Sequence, residues 1–384
     1  MPSGQFSDIP ETLGVLDVDV FIKVLSRTLF SPFFTAFIPL LVASQRQQWD
    51  APAVKWSAGW FFLLSMFWSL RFISKLWRNG GSLLYQSART SWENQIVLIT
   101  GGASGTGELL ANTLAVRNVD VVVLDVNPIV SENYNVHYYK CDISNWEEVN
   151  VISKRIIEEV GQPTIVVNNA GVVQGKPLVE LSAEDINQTF AVNTLGHFWV
   201  LKAFLPGIVK QRFGHIVTVS SVTAFAGIAR MADYCASKSA VISLHESLRY
   251  ELDKIYRTPQ IRTTLVTTGF IHTPLFSRSS YAATETPSPL PAWLFHFFAP
   301  PLDSHEVVKA IIAALDANES TDIKLPFYAH LVALSRVFPS WVRDVLQWVI
   351  LQISGADYMM ENFVKVSGLR GDEEVVNDEG SKEA

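Results

Sequence analysis

A tyrosine and a lysine four residues apart, Tyr234 and Lys238 in the run Tyr-Cys-Ala-Ser-Lys, are the pair in this chain best suited to moving a proton. On a helix, residues four apart stack on one face. That stacking brings the Lys238 ammonium toward the Tyr234 phenol. A free phenol titrates near pH 10 and shuttles protons poorly at neutral pH, whereas a nearby fixed positive charge favours the phenolate. The chemistry on offer is general acid–base transfer at a hydroxyl or carbonyl oxygen. Such a spacing also arises by chance on surface helices, so its meaning depends on the elements around it.

Those elements begin at Gln95–Thr100, a β-branched apolar run of strand length. It opens directly into Gly101-Gly-Ala-Ser104-Gly105-Thr106-Gly107, followed by a stretch of helical composition through Arg117. Glycines at a strand-to-helix turn let backbone N–H groups approach a pyrophosphate at the helix N-terminus. A second strand, Val119–Val126, carries Asp125 near its end. An acid there, about 20 residues on, hydrogen-bonds a ribose diol and repels a 2′-phosphate. No Arg or Lys lies within the glycine run or just after Asp125, which favours NAD over NADP.

The chain then alternates strand and helix. Val136–Cys141 reads as a strand leading to Asp142, and Asn145–Val160 as an amphipathic helix. Thr164–Val167 is a strand that runs into Asn168-Asn169-Ala170-Gly171. A long helix over Glu184–Leu205 contains Asn193; His215–Ser220 and Ile261–Thr267 are further strands, and Ile323–Pro326 is a last one. Interleaving of this kind predicts an α/β fold, a Rossmann-type doubly wound parallel sheet with ligands at the carboxyl ends of its strands.

Taken together, these residues resemble the short-chain dehydrogenase/reductase superfamily over about residues 92–275. The resemblance rests on T-G-x-x-x-G-x-G at Thr100–Gly107, N-N-A-G at Asn168–Gly171 and Y-x-x-x-K at Tyr234–Lys238. It implies that NAD lies with its pyrophosphate at Gly101–Gly107, its ribose on Asp125, its adenine near Asp142, and Asn169, Ala170 and Gly171 alongside. It implies four catalytic residues. Tyr234 is acid and base, Ser221 hydrogen-bonds the substrate oxygen, Lys238 lowers the tyrosine pKa and binds ribose hydroxyls, and Asn193 supports a water relay. Ser220 is the weaker alternative to Ser221. The family carries Pro-Gly after the sixth strand, and here stands Thr268-Gly269, which leaves that loop less constrained. Thr273 still contacts the nicotinamide amide in this reading. His215, His272 and Cys235 are expected to be structural, and Asp233 a solvated or capping carboxylate.

Composition adds the setting. The 384 residues are 48% apolar with a net charge of −7, and their mean hydropathy is +0.21. Nothing is basic enough to hold nucleic acid. Cys141 and Cys235 have no metal-ligand spacing and no disulfide framework, and no metal is expected. After a polar segment over residues 1–28, an anchor is expected at residues 29–80 as a membrane hairpin or two marginal spans, Leu29–Ala43 and Trp56–Leu70. Each stretch covers roughly 23 Å of a hydrocarbon core about 30 Å thick. Five of the eleven tryptophans crowd this region, and basic residues on both outer flanks favour two cytosolic ends. The dehydrogenase domain is expected over 92–330 with a substrate loop near 270–304. An amphipathic helical segment at 331–365 and an acidic disordered tail at 366–384 follow.

The layout is similar to the membrane- and lipid-droplet-associated branch that includes retinol and 17-beta-hydroxysteroid dehydrogenases. That similarity implies a lipophilic alcohol as substrate at the endoplasmic reticulum or a lipid droplet, with the catalytic domain in the cytosol, and leaves room for a homodimer. Two rivals remain open: an NADPH-dependent lipid carbonyl reductase, and a non-catalytic lipid-droplet scaffold that retains the fold.

Overall fold

The computed structural model describes residues 17–46, 51–81, 89–130, 133–271, 297, 300 and 302–345. Thr273, His272, the tail from 366 and most of the expected substrate loop lie outside the described residues. The chain divides into two compact units, Met1–Gln86 with Pro291–Pro300 and Ser87–Leu290 with Pro301–Ala384.

The N-terminal unit is helical: α1 Val18–Arg27, α2 Pro32–Thr35, α3 Phe37–Arg46 and α4 Pro52–Arg78. Asp17 caps α1 by accepting the Val20 N–H at 2.8 Å, so ordered helix begins inside the segment expected to be merely polar. The apolar stretch Leu29–Ala43 is no single helix. Pro32, at the first position of α2, belongs to a break between α1 and α2. Among the described residues no single helix is long and apolar enough to cross a membrane. One bent pair, α1 with Pro32–Gln45 at 49°, meets that test jointly by length and composition. Of the expected anchor, a membrane hairpin or two marginal spans, the described residues thus offer this bent pair and no single spanning helix. α4 has the length, but Lys55, Arg71, Lys75 and Arg78 punctuate it. Trp68 Nε1 donates to Phe30 O at 2.9 Å, and Phe30 tilts against Trp60 at 5.9 Å between ring centres. Little else is buried, and Trp56, Phe62 and Trp77 stand mostly in the open.

The second unit holds a seven-stranded sheet, all parallel, in the order β3-β2-β1-β4-β5-β6-β7. The strands are β1 Ile96–Thr100, β2 Asp120–Asp125, β3 Val136–Lys140, β4 Ile165–Asn168, β5 His215–Ser221, β6 Arg262–Thr268 and β7 Thr321–Leu325. The central ones are near-continuous runs of buried residues, as parallel strands covered on both faces must be. α5 Gly105–Val116 covers one face together with α10 Ser304–Ala317, a helix the sequence reading missed. α6 Trp146–Glu159, α8 Gly196–Gln211 and α9 Ala232–Lys254 cover the other. Asn145 caps α6, and a reciprocal Ser182–Asp185 capping box starts α7 Ala183–Phe190. α11 Tyr328–Ser335 follows β7 and runs across the expected boundary at residue 330. Strand order reverses between β1 and β4, which opens a crevice at their carboxyl ends.

Candidate active site

β1 ends at Thr100, and the glycine turn follows. Gly101 takes φ +67°, and a Cβ there would meet the Ala170 Cα at 2.8 Å. A Cβ on Gly107 would overlap the Gly101 carbonyl oxygen. Side chains are thus excluded by the fold itself, leaving bare backbone at the start of α5, which suits a pyrophosphate. Gly105, at φ +58°, opens the helix after an exposed Ser104, and Thr106 is buried behind it.

Asn169, the residue after β4, braces this turn. Its Nδ2 donates to Thr100 O at 3.1 Å and Gly101 O at 3.2 Å. The Thr100 hydroxyl accepts the N–H groups of Asn169 and Ala170 at 3.0 and 3.1 Å. The hub role of Thr100 was missed, although its place at the head of the glycine motif was the available signal. Asp125 ends β2, where its Oδ2 accepts Ala103 N–H and its Oδ1 accepts Asn127 N–H, both at 2.9 Å. A carboxylate has about four lone-pair sites, so capacity remains for a ribose diol. Asp142 lies just past β3, accepting Ser144 N–H at 2.9 Å.

The proposed catalytic residues converge at the ends of β4 and β5. Ser221 is the last residue of β5, and a hydrogen bond joins it to Tyr234 on α9. Lys238, one turn on, sends its Nζ to Val219 O at 3.3 Å and lies 5.7 Å from the centre of the Tyr234 ring. A Cβ on Gly171 would sit 3.3 Å from Lys238 Nζ and 3.4 Å from Asn193 Oδ1, so that glycine holds both groups at close range. Ser220 instead spends its hydroxyl on the Lys238 carbonyl at 3.0 Å.

The helix expected over Glu184–Leu205 is broken by a π-turn at Ala191–Leu195, and Asn193 sits inside it. A π-turn widens the backbone locally and is frequent at functional sites. Asn193 is fully buried. Its Oδ1 accepts Val172 N–H at 2.7 Å, and its Nδ2 donates to Val172 O at 2.9 Å and to Ser237 Oγ at 3.1 Å.

Electrostatics depart from expectation at Tyr234. Burial pushes its phenol above the ordinary tyrosine range, and the Ser221 hydrogen bond pulls against that. The Lys238 ammonium does not bring it down. Its own pKa is lowered to about 8 by burial, and it stands off the ring at 5.7 Å. Asp233 also differs, since it is buried and accepts the Thr189 hydroxyl at 2.7 Å. His215 is structural as expected, bonded through Nε2 to Thr264 Oγ1 at 2.8 Å, and the Cys235 thiol is buried with its pKa raised by burial. His197, one turn after Asn193, was not singled out by the sequence. It is fully buried and held down to about 3 by burial and by Lys238. The Ala170 backbone acts on it weakly, but neither ring nitrogen reaches hydrogen-bond geometry. Among the described residues no group of His, Cys, Asp or Glu is placed to hold a metal.

Residues 95–283 match the family model for short chain dehydrogenase. The chain is 34% identical to human 17-beta-hydroxysteroid dehydrogenase 13 over 67% of its own length and 84% of that protein. It is 32% identical to rat (Rattus norvegicus) retinol dehydrogenase 10, over 79% of this chain and 94% of that one. The chain belongs to the short-chain dehydrogenase family. It is therefore an oxidoreductase. Among solved structures, a 4-hydroxyisoleucine dehydrogenase complexed with NADH superposes with a TM-score of 0.53 at 21% identity, covering 60% of this dehydrogenase and 96% of that chain. At that identity the likeness speaks to fold alone.

Proposed function

We propose that this dehydrogenase is membrane-associated and NAD-dependent, and interconverts a lipophilic alcohol (a retinoid, steroid or long-chain lipid) with its carbonyl. The observation that carries the reading is the chain of contacts from Ser221 to Tyr234, from Tyr234 to Lys238, and from Lys238 across Gly171 to Asn193, in a fold that also presents a bare glycine turn. NAD, when bound, would supply the hydride acceptor. Gly101, Ser104, Gly105, Thr106 and Gly107 would present the helix N-terminus to its pyrophosphate, Asp125 would hold its ribose, and Asp142 would lie by its adenine. Asn169 and Ala170 would line its path, with Thr273 at the nicotinamide amide.

In oxidation, Tyr234 takes the hydroxyl proton of the substrate, and Ser221 steadies the oxygen as its charge changes. In reduction, Tyr234 gives that proton back, and its raised pKa keeps it protonated for the purpose. Keeping Lys238 charged in its buried place costs about 3 kcal/mol. Ribose hydroxyls accepting from its Nζ would offset that cost. Two relatives are named for retinol and 17-beta-hydroxysteroids, which supports a lipophilic alcohol. The uncovered aromatic surface of α4 supports contact with a lipid surface, at the endoplasmic reticulum or a lipid droplet with the catalytic unit in the cytosol.

The test is absorbance at the reduced-nicotinamide band, using detergent-solubilised protein, NAD or NADP, and a panel of lipophilic alcohols. Turnover with NAD should fall by roughly 10²–10⁴-fold in Tyr234→Phe, the range expected for losing a general acid–base group. Cofactor binding without turnover on any alcohol would favour the scaffold. Turnover with NADP alone would favour the reductase.

A further inference from the structure

Two turns border the carboxyl end of the β5–β6 pair, where Ser221 and Thr268 are partners in register. One is the 3₁₀ turn Val222–Ala224 that follows Ser221; the other is the Thr268-Gly269-Phe270 turn, which lacks the proline of the family pattern. α11 and Arg336 at its C-cap, beyond residues 95–283 that the family model matches, hold both. The Tyr328 hydroxyl accepts the Phe270 N–H at 3.2 Å, while Gly269 N–H donates to Leu325 O at 2.7 Å. The approach is so close that a Cβ on Gly269 would overlap the Tyr328 hydroxyl and lie 2.9 Å from Pro326 Cδ. Eight residues on, Arg336 donates to Ala224 O at 2.6 Å and Phe225 O at 2.9 Å, with its guanidinium over the Phe225 ring at 5.7 Å. Between these ends, Ala329 and Val332 pack against Val222.

We propose that Tyr328 is a positioning residue for the 268–270 turn and supplies the restraint that a proline supplies elsewhere. α11 thereby sets the wall against which the nicotinamide half of the cofactor rests. A proline stiffens such a turn by fixing one φ. Here the same turn is pinned from outside, by a hydroxyl that accepts one backbone N–H and by a strand carbonyl that accepts the next. The inference rests on the NAD-binding reading given above.

The experiment compares two ligands that differ at the nicotinamide. NADH binding to full-length protein in detergent is followed by its fluorescence, and ADP-ribose binding by competition. Tyr328→Phe removes one hydroxyl and keeps the ring. Losing one hydrogen bond of this kind should weaken NADH by about 3- to 10-fold. ADP-ribose, which lacks the nicotinamide, should bind within about twofold of wild type, inside the smallest effect expected of one lost hydrogen bond. Unchanged affinity for both ligands would overturn the proposal. So would an equal loss for both, because that is the signature of a general structural defect. Wild-type protein that binds neither ligand would overturn the NAD reading itself, and the positioning role with it.

Discussion

At Asp125 the carboxylate closes the end of β2 onto the glycine turn through Ala103 N–H, and in the proposed reading it also holds the cofactor ribose. Its replacement therefore has two separable effects. Asp125→Ala should relax the preference for NAD over NADP, measured as the ratio of kcat/KM values, by removing the charge that repels a 2′-phosphate. It should also lower the melting temperature, because the Ala103 N–H loses a charged acceptor worth about 1.5–3 kcal/mol. A lower melting temperature with an unchanged preference would mean that the ribose is held elsewhere. Tyr234 shows what residue type and spacing leave undetermined. Its partner Lys238 was legible from the four-residue interval, but the sign of its pKa shift was not. That sign depends on how far burial outweighs a neighbouring charge, and burial is set by residues far away in sequence.

Among elements, the buried histidines of α8 and β5 give the fold a defined response to acid. His197 and His215 are each held to about 3, largely by burial, whereas an unfolded histidine titrates near 6.5. Above about pH 6.5 both states are neutral and the shift contributes nothing. As pH falls from about 6.5 toward 3 the unfolded chain takes up protons that the folded one refuses, so stability declines. Each group costs up to about 1.4 kcal/mol for every further pH unit in that window. Urea midpoints should fall between pH 7 and pH 5, and His215→Gln should flatten the decline; an equally steep decline in the variant would assign it to other groups. Helix breaks follow a similar logic. The π-turn at Ala191–Leu195 was invisible in a sequence that reads as unbroken helix, because it is coupled to the Asn193–Val172 strap twenty-one residues away. Pro206, by contrast, does not end α8, which continues to Gln211.

For the whole molecule, the two units differ in what they bury. The sheet unit hides its apolar residues on both faces, whereas the helical unit leaves Trp56, Phe62, Phe67 and Trp77 largely uncovered. Protein lacking residues 1–80 should therefore leave the membrane pellet for the supernatant after fractionation. Retention in the pellet would move the attachment to the C-terminal segment. The alternation of strands and helices, the glycine turn, Asp125 and the order of Ser221, Tyr234 and Lys238 were all readable along the chain. These are local patterns, in which periodicity, turn chemistry and residue spacing act within a few positions. Packing alone brings Thr100 and Asn169 together to brace the glycine turn, buries Asp233 on Thr189, and stands Tyr328 against Gly269. Each is a contact between segments separated by more than forty residues. Such contacts depend on how the sheet is ordered and how its covering helices are stacked, and no local pattern encodes either.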